Sequence, residues 1–199
     1  MHVLRGSEST PVDSILTFIP KSRDSAPVSR LVVVCGLPGV GKSTVAAGLA
    51  ERLGAEHLRT DAVRKEIRPS PRYDSDESRR VYAALVDMAR ENLRSEEDTV
   101  LDGTYGAPKH RAWARSLAED VGATFALVKV ECGEPVALRR IESRKGGVSD
   151  ATPETFYEIK ASFDDPEDAT VIDNTGERET TERRLDAWVR AFTDGEKGR

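Results

Sequence analysis

The feature that most constrains this chain is an apolar run that leads directly into a glycine-rich segment. Residues 31–35 contain no polar side chain and are mostly β-branched, which predicts a strand covered on both faces. The next eight residues are Gly36, Leu37, Pro38, Gly39, Val40, Gly41, Lys42 and Ser43. Beyond them, apolar residues recur at helical spacing until Gly54. A strand, a glycine-rich loop and a helix in this order predict an α/β domain with an anion-binding loop.

The residue types in this loop suit the binding of a polyphosphate. Glycines let the backbone turn its N–H groups toward an anion, and the first turn of a helix adds uncapped amides and a positive dipole end. Lys42 can reach the β- and γ-phosphates, the Ser43 hydroxyl can bind Mg²⁺, and Thr44 follows in the same turn. We therefore predict that the loop binds Mg-ATP. The alternative is a glycine-rich turn beside an exposed lysine, which the flanking strand and helix disfavour.

Strand and helix patterns alternate along the rest of the chain. Further strands are predicted at residues 56–60, 99–101, 124–130 and 170–172, and helices at 62–67, 74–94, 108–121, 135–144, 153–163 and around Trp188. Such alternation requires crossover connections and predicts a three-layer sandwich with a parallel sheet between helices. With 199 residues there is room for one such domain. We place it at 30–193, with a lid at about 140–155, a partly ordered extension at 1–29 and a flexible tail at 194–199.

Composition narrows the class of protein. The apolar content is 38%, and no apolar run approaches the roughly 20 residues that cross a bilayer. The first residues lack the apolar stretch of a secretory signal, so we expect a cytoplasmic protein without a membrane partner. A net charge of −5 argues against a surface that grips nucleic acid throughout. Cys35 and Cys132 each close an apolar run, which predicts small buried strand residues with no chemistry.

Two aspartates follow predicted strands and are candidates for the chemistry of transfer. Asp61 follows the second strand and Asp102 the third, and the carboxyl ends of parallel strands share the edge where ligands bind. Arg64 lies three residues after Asp61, so a helix would place both on one face. The pair could supply an acceptor for a substrate proton and a cation for the phosphoryl group. The alternative is a helix N-cap followed by a surface arginine.

A second basic pair lies farther along the chain. Arg140 and Arg144 are one helical turn apart, just before a loop with two glycines. This spacing predicts an arginine clamp on a hinged lid. The alternative is a solvated basic helix face.

These residues carry a family resemblance over about residues 30–175. The set comprises the loop from Gly36 to Ser43, Asp61 with Arg64, Asp102-Gly103-Thr104 with Arg111 downstream, and Arg140 with Arg144. It resembles the polynucleotide-kinase-like group of P-loop kinases, which is related to gluconate, adenylylsulfate and chloramphenicol kinases and more distantly to zeta toxins. The resemblance implies the strand order 2-3-1-4-5 and a kinase that moves the γ-phosphoryl of ATP onto a hydroxyl group.

The resemblance also implies a role for individual residues. It makes Asp61 the general base, Arg64 a contact to the reacting phosphate, and Arg144 a lid residue that stabilises the transferring group. Asp102 and Arg111 would help to place the acceptor. Arg140 and the Asn174-Thr175-Gly176 loop would lie near the nucleotide, whereas Tyr105 and His110 are expected to be surface residues.

Other functions and the acceptor stay open at this stage. A nucleotide-hydrolysing switch would use the same loop, but the chain has no Asn-Lys-x-Asp segment for guanine, and Gly103 follows Asp102 where a motor usually has a glutamate. A scaffold without turnover would not need the base and the clamp. The acceptor is a small molecule or a nucleotide or nucleic-acid end. A basic excess near the expected pocket suits a phosphorylated or nucleic-acid acceptor, and the alternative is a solvated helix face. It comprises Arg68, Arg72, Arg79, Arg80, Lys109, His110 and Arg111.

Overall fold

The computed structural model describes residues 28–143 and 151–196, which alternate between strands and helices. The strands are β1 (Arg30–Cys35), β2 (Glu56–Arg59), β3 (Thr99–Asp102), β4 (Thr124–Glu131) and β5 (Thr170–Asp173). The helices are α1 (Lys42–Leu53), α2 (Thr60–Ile67), α3 (Ser75–Arg94), α4 (Pro108–Val121), α5 (Glu134–Glu142), α6 (Pro153–Ser162) and α7 (Arg178–Glu196). Within these two ranges, no helix is both long and apolar enough to cross a membrane.

The five strands form one parallel sheet in the order β2-β3-β1-β4-β5. Both the predicted α/β class and the predicted strand order are confirmed. β1 is the central strand because its apolar residues can be covered on both faces, and the side chains from Leu31 to Cys35 are fully buried. Alternate residues of β1 join two separate cores, with Leu31, Val33 and Cys35 on one face and Val32 and Val34 on the other.

Helix ends follow the local sequence signals. Gly54 ends α1 in the left-handed conformation with φ 66°, which a residue without Cβ adopts at little cost. The Asp74 carboxylate accepts a hydrogen bond from the Glu77 amide and caps α3. At the far end of the chain, α7 continues to Glu196 and so reaches into the segment predicted as a free tail. An exposed glycine such as Gly195 costs a helix only about 1 kcal/mol, which does not force the helix to end.

Two connections after the strands tie the site together. The Gly36 amide donates to the Thr104 carbonyl at 3.2 Å, and the Gly103 amide donates to the Val34 carbonyl at 3.2 Å. The loops that follow β1 and β3 are thereby joined at the carboxyl edge of the sheet. β2 ends beside them, because Arg59 is in register with Asp102.

Two residues expected on the surface are buried. Tyr105 and His110 are 1% and 7% exposed. Tyr105 follows β3 with a positive φ of 45°, which turns its ring into the core beneath α3 and α4. The His110 ring stacks on Tyr82 at a centroid distance of 3.9 Å, so the polar ring is covered by an aromatic partner. Cys35 is a buried strand residue as predicted, whereas Cys132 lies just beyond β4 and is partly exposed.

Candidate active site

A cavity of about 570 Å³ lies where β1, β2 and β3 end. Side chains predicted from the sequence meet there from three separate stretches of the chain. The predicted site residues that line it are Pro38, Gly39, Gly41, Lys42, Ser43, Asp61, Arg64 and Asp102. The structure thus brings the glycine-rich loop, the candidate base and the candidate carboxylate of β3 into one space.

The glycine-rich loop has the backbone that an anion site requires. Gly41 precedes α1 with φ 92° and ψ 24°, and no side chain caps the first turn of the helix. The amide end and the dipole of α1 are therefore presented to a ligand rather than to a capping carboxylate. Lys42 extends back along the loop, and its Nζ donates to the Leu37 carbonyl at 2.8 Å.

The far side of the loop is held by a residue near the end of the chain. Asn174 is buried, and its Nδ2 donates to the Val40 carbonyl at 2.8 Å. Its Oδ1 accepts from the Thr181 hydroxyl at 2.8 Å, so both ends of the amide are fixed. A Cβ at Gly41 would lie 2.1 Å from Asn174 Nδ2, which explains why glycine stands there. The glycine-rich loop is therefore held by a residue between β5 and α7, in addition to its connection to α1.

A second cavity of about 330 Å³ adjoins this side of the loop. Gly39, Gly41, Thr44, Arg140 and Asn174 line it, and Gly176 lies at its edge. The Arg140 guanidinium donates to the Val40 carbonyl at 3.3 Å and to the Asn174 carbonyl at 3.0 Å. Arg140 is thus anchored to the loop rather than projecting into solvent, in contrast to a solvated basic helix face.

Asp61 faces the main cavity from the first turn of α2. The N-cap of this helix is Arg59, so Asp61 is not the capping residue that the alternative interpretation required. Burial raises the pKa of the Asp61 carboxyl; the Lys42 charge lowers it, and the Asp102 charge raises it further. A carboxylate with a raised pKa next to a lysine is suited to accept a proton during a reaction.

Asp102 lies at the end of β3 and is only 4% exposed. Burial alone would raise the pKa of this carboxyl, but the His57 side chain, the Lys42 charge and the Ser43 hydroxyl lower it below its ordinary value. Arg59 links the same two groups, because its Nε contacts Asp102 at 3.4 Å and its Nη2 contacts Ser43 Oγ at 3.3 Å. Asp102 is therefore held as an ionised carboxylate beside the Ser43 hydroxyl.

The pairing of Ser43 with Asp102 fits a Mg²⁺ ion that is shared with phosphates. Both groups offer oxygen ligands, and Mg²⁺ is commonly bound through one or two carboxylates together with substrate phosphates. Over residues 28–143 and 151–196, no group of three or more His, Cys, Asp or Glu side chains is arranged to hold a metal. Phosphate oxygens and water would have to complete the coordination.

Arg64 is buried, not a surface residue, and is fixed by α3. Its Nη1 contacts Glu77 Oε1 at 2.7 Å, and its guanidinium lies 4.8 Å from the centroid of the Tyr73 ring. Glu77 also accepts from the amides of Arg72 and Tyr73. These contacts hold the pKa of Glu77 below its ordinary value. The hydrogen bond from the Arg72 amide has the largest effect, followed by that from the Arg64 side chain. Arg64 lines the cavity in one rigid orientation.

Arg111 lies outside the set that lines the cavity. Its Nη1 donates to the carbonyls of Tyr105 at 2.8 Å and Asp164 at 3.0 Å, and its Nη2 binds the Asp164 carboxylate at 2.5 Å. The guanidinium thus joins the loop after β3 to the segment after α6. This placement does not support direct contact with a substrate, because Arg111 does not line the cavity and both of its Nη atoms bind groups of the protein. The predicted lid residue Arg144 lies outside the described residues, as do 145–150 of the predicted lid.

Several cavity residues were not found from the sequence. Arg59 is the last residue of β2, and the sequence gave no indication that its side chain faces a site. Tyr73 has a positive φ of 58°, which no sequence pattern indicates for a tyrosine. Phe163 was assigned to a helix end, although it lines the cavity together with Ile159.

Comparisons with known proteins agree with this architecture. The sequence model of a family described as AAA domain matches residues 31–166. An uncharacterized protein of Mycobacterium tuberculosis is 38% identical over 164 residues, which cover 75% of this chain and 32% of the relative. The chain thus spans about a third of the length of that relative. A gluconokinase of Gluconobacter oxydans is 33% identical over 124 residues, which cover 59% of this chain and 66% of the enzyme.

Solved structures share the fold at lower identity. A gluconokinase from Sinorhizobium meliloti superposes with a TM-score of 0.66 at 22% identity and covers 86% of this chain and 96% of its own. The APS kinase of Mycobacterium tuberculosis, solved in complex with AMPPNP and APS, has a TM-score of 0.66 at 18% identity. That match covers 84% of this chain and 99% of the kinase. The shared architecture is that of P-loop kinases.

Proposed function

Because the chain belongs to the AAA domain family, we propose that it is an ATP-dependent kinase that transfers the γ-phosphoryl group of Mg-ATP to a hydroxyl group. The observation that carries this proposal is the convergence of Lys42, Asp61 and Ser43 on one cavity. A hydrolysing switch needs only the phosphate loop and the metal site. A partly buried carboxylate that faces the loop from a helix after another strand can orient an acceptor hydroxyl. The gluconokinase and APS kinase similarities support the same reaction class.

The loop and its neighbours would bind the nucleotide. The backbone from Gly36 to Thr44 would surround the phosphates, and Lys42 would exchange the Leu37 carbonyl for phosphate oxygens. The second cavity beside Arg140 and Asn174 is a suitable place for the nucleoside. Ser43 and Asp102 would hold Mg²⁺, which when bound neutralises charge on the phosphates.

In the proposed transfer, the acceptor oxygen forms a bond to the γ-phosphorus. The bond from that phosphorus to the bridging oxygen breaks, and ADP leaves with the electron pair. Asp61 takes the proton of the acceptor hydroxyl, a role to which its raised pKa is suited. Arg64 would position the reacting groups from its fixed place against Glu77, and Arg144 would add positive charge from the lid.

We also propose domain boundaries, a kinase group and a role for Asp102. We place the kinase unit at residues 30–193 and its lid at about 140–155. The motif set also supports membership of the polynucleotide-kinase-like group. Asp102 serves the metal in this proposal rather than the acceptor, because its carboxylate lies beside Ser43.

The test uses the full chain with Mg-ATP and a panel of hydroxyl compounds. We expect ADP release that depends on an acceptor. Lys42→Ala should lower the rate by about two to three orders of magnitude, the usual scale for removing one preorganised charge, and Asp61→Asn should retain ATP binding but lose transfer. Release at the same rate with and without every acceptor would instead identify a hydrolysing switch. Binding of ATP without any release would identify a scaffold.

A further inference from the structure

The main cavity has two chemically different ends. The phosphate end carries the loop, Lys42 and the carboxylates of Asp61 and Asp102. The other end is contributed by α3, by the start of α4 and by α6. Its large side chains are Tyr73, Tyr82, His110, Ile159 and Phe163. This second end, called the ring wall below, is where the acceptor must lie if the proposed function is correct.

One side of the ring wall is a rigid aromatic stack. Tyr82 is 7% exposed, and its ring lies nearly parallel to the His110 ring, with 19° between the planes. The Tyr82 hydroxyl accepts from the Tyr105 amide at 3.1 Å, which fixes the ring from below. Burial lowers the pKa of His110 to about 4, so this imidazole is neutral near pH 7. The stack therefore offers an aromatic, uncharged surface.

The opposite side of the ring wall comes from the end of α6. Phe163 packs against Gly106, because a Cβ built there would lie 3.0 Å from the phenyl ring. The Asp164 amide donates to the Gly106 carbonyl at 3.0 Å, and the Arg111 guanidinium forms an ion pair with the Asp164 carboxylate. Arg111 is thus a positioning residue that fixes Phe163 rather than a residue that touches the acceptor.

Tyr73 completes the ring wall in a strained conformation. A positive φ is unusual for a bulky residue and costs of order 1–3 kcal/mol, so surrounding contacts must hold it. The Tyr73 amide donates to Glu77, and its ring lies over the Arg64 guanidinium. The ring is therefore held at the boundary between the two ends of the cavity.

Among the described residues, the cations that line the cavity already have partners within the protein. Its charged lining residues are Lys42, Arg59, Arg64, Asp61, Asp102 and Glu158. Lys42 and Arg59 lie at the phosphate end, where ATP would need them, and Arg59 already contacts Asp102. Arg64 lies between the two ends, beside the Tyr73 ring, and is paired with Glu77. Of the described residues that form the ring wall or adjoin it on α6, the charged one that lines the cavity is the exposed carboxylate Glu158. Most of the basic excess identified in the sequence lies elsewhere, since Arg68, Arg72, Arg79, Arg80, Lys109 and Arg111 do not line the cavity. His110 does line it, but its pKa is lowered to about 4.

We propose that the acceptor is an uncharged alcohol that carries an aromatic ring, which packs among Tyr73, Tyr82 and Phe163 while its hydroxyl faces Asp61. This inference rests on the proposed function and narrows it to a substrate class. It disfavours sugar acids, phosphorylated acceptors and nucleic-acid ends, because each would bring negative charge to a wall of rings beside Glu158. Aromatic pairs stabilise a complex beyond the area that they bury, so the ring itself should carry measurable affinity.

The test compares two acceptors that differ only in the ring. Phenyl β-D-glucopyranoside and methyl β-D-glucopyranoside have the same free hydroxyls, and their binding to the full chain with Mg-AMPPNP is measured by calorimetry or ligand-observed NMR. We expect the phenyl compound to bind at least about tenfold more tightly. Phe163→Ala and Phe163→Leu should remove most of this preference. Tyr157→Ala is the matched control, since Tyr157 is an exposed aromatic residue of the same helix that does not line the cavity.

The outcomes separate this inference from the proposed function. Equal binding of the two glucosides, binding of neither, or a preference that survives both Phe163 variants would overturn the ring-wall inference. Faster ADP release with D-gluconate or a 5′-hydroxyl oligonucleotide than with the phenyl glucoside would also overturn it, while leaving the kinase proposal intact. A ring preference without acceptor-dependent ADP release from any hydroxyl compound would support the pocket and refute the kinase.

Discussion

Gly41→Ala should destabilise the protein much more than the same change at Gly54. Both glycines have a positive φ, of 92° and 66°, so alanine pays a backbone penalty of about 1–2 kcal/mol at either position. At Gly54 nothing lies within 4 Å of the added Cβ, so we expect no cost beyond this backbone penalty. At Gly41 the Cβ would lie 2.1 Å from Asn174 Nδ2. The amide must then move away from the Val40 carbonyl.

The displaced amide sets the size of the additional effect. A buried polar group that loses its partner costs about 1–3 kcal/mol, so Gly41→Ala should cost about 2–5 kcal/mol in total. For a chain of this length, this corresponds to a fall in Tm of roughly 4–20 °C, against about 2–8 °C for Gly54→Ala. Urea and thermal unfolding of the two variants measure the difference directly.

A double mutant isolates the contact with Asn174. In an Asn174→Ala background, Gly41→Ala should lose its excess over Gly54→Ala, because the side chain that obstructs the Cβ is gone. Equal destabilisation by Gly41→Ala and Gly54→Ala in the wild-type background would refute the reasoning. ATP affinity should fall in Gly41→Ala and remain unchanged in Gly54→Ala.

Two further predictions concern buried polar groups. Because the pKa of Asp61 is raised in the folded state, the folded protein keeps this carboxyl protonated to a higher pH than the unfolded chain does. The free energy of unfolding therefore falls as pH rises from about 4 through the folded pKa. In urea titrations, Asp61→Asn should therefore be more stable than wild type at pH 7 and lose this advantage near pH 3–4. The control Asp87→Asn, at an exposed position, should show no gain in stability at pH 7. Thr181→Val removes the donor to Asn174 Oδ1 and should cost about 1–3 kcal/mol by thermal unfolding. Thr180→Val, at a partly exposed position where the hydroxyl accepts from Arg183 on the surface, should cost less than about 0.5 kcal/mol.

The sequence was most informative where a signal is local. The apolar run of β1 and the glycine-rich loop are continuous in the chain, and each constrains its own backbone. The positions of Asp61 and Asp102 followed from one further rule, that parallel strands end at a common edge. These features were therefore predicted before any contact was known.

The misplaced residues depend on contacts between distant segments. His110 was expected on the surface because it merely lies near the motif residues in the chain, and the Tyr82 ring from another helix explains its burial. Arg111 was expected to help place the acceptor because of the family resemblance, but its partner Asp164 lies 53 residues away. The role of Phe163 likewise depends on Gly106. No pattern within a short window encodes such pairs.

The contact between Asn174 and the Val40 carbonyl has a consequence for how the chain should be divided. The family match ends at residue 166, before β5 and α7. A fragment cut at that boundary would keep the whole glycine-rich motif yet lose the amide that braces it and the hydroxyl of Thr181 that orients the amide. Affinity for a nucleotide would then depend on a helix that contributes no part of the motif, and a minimal expression unit has to include it.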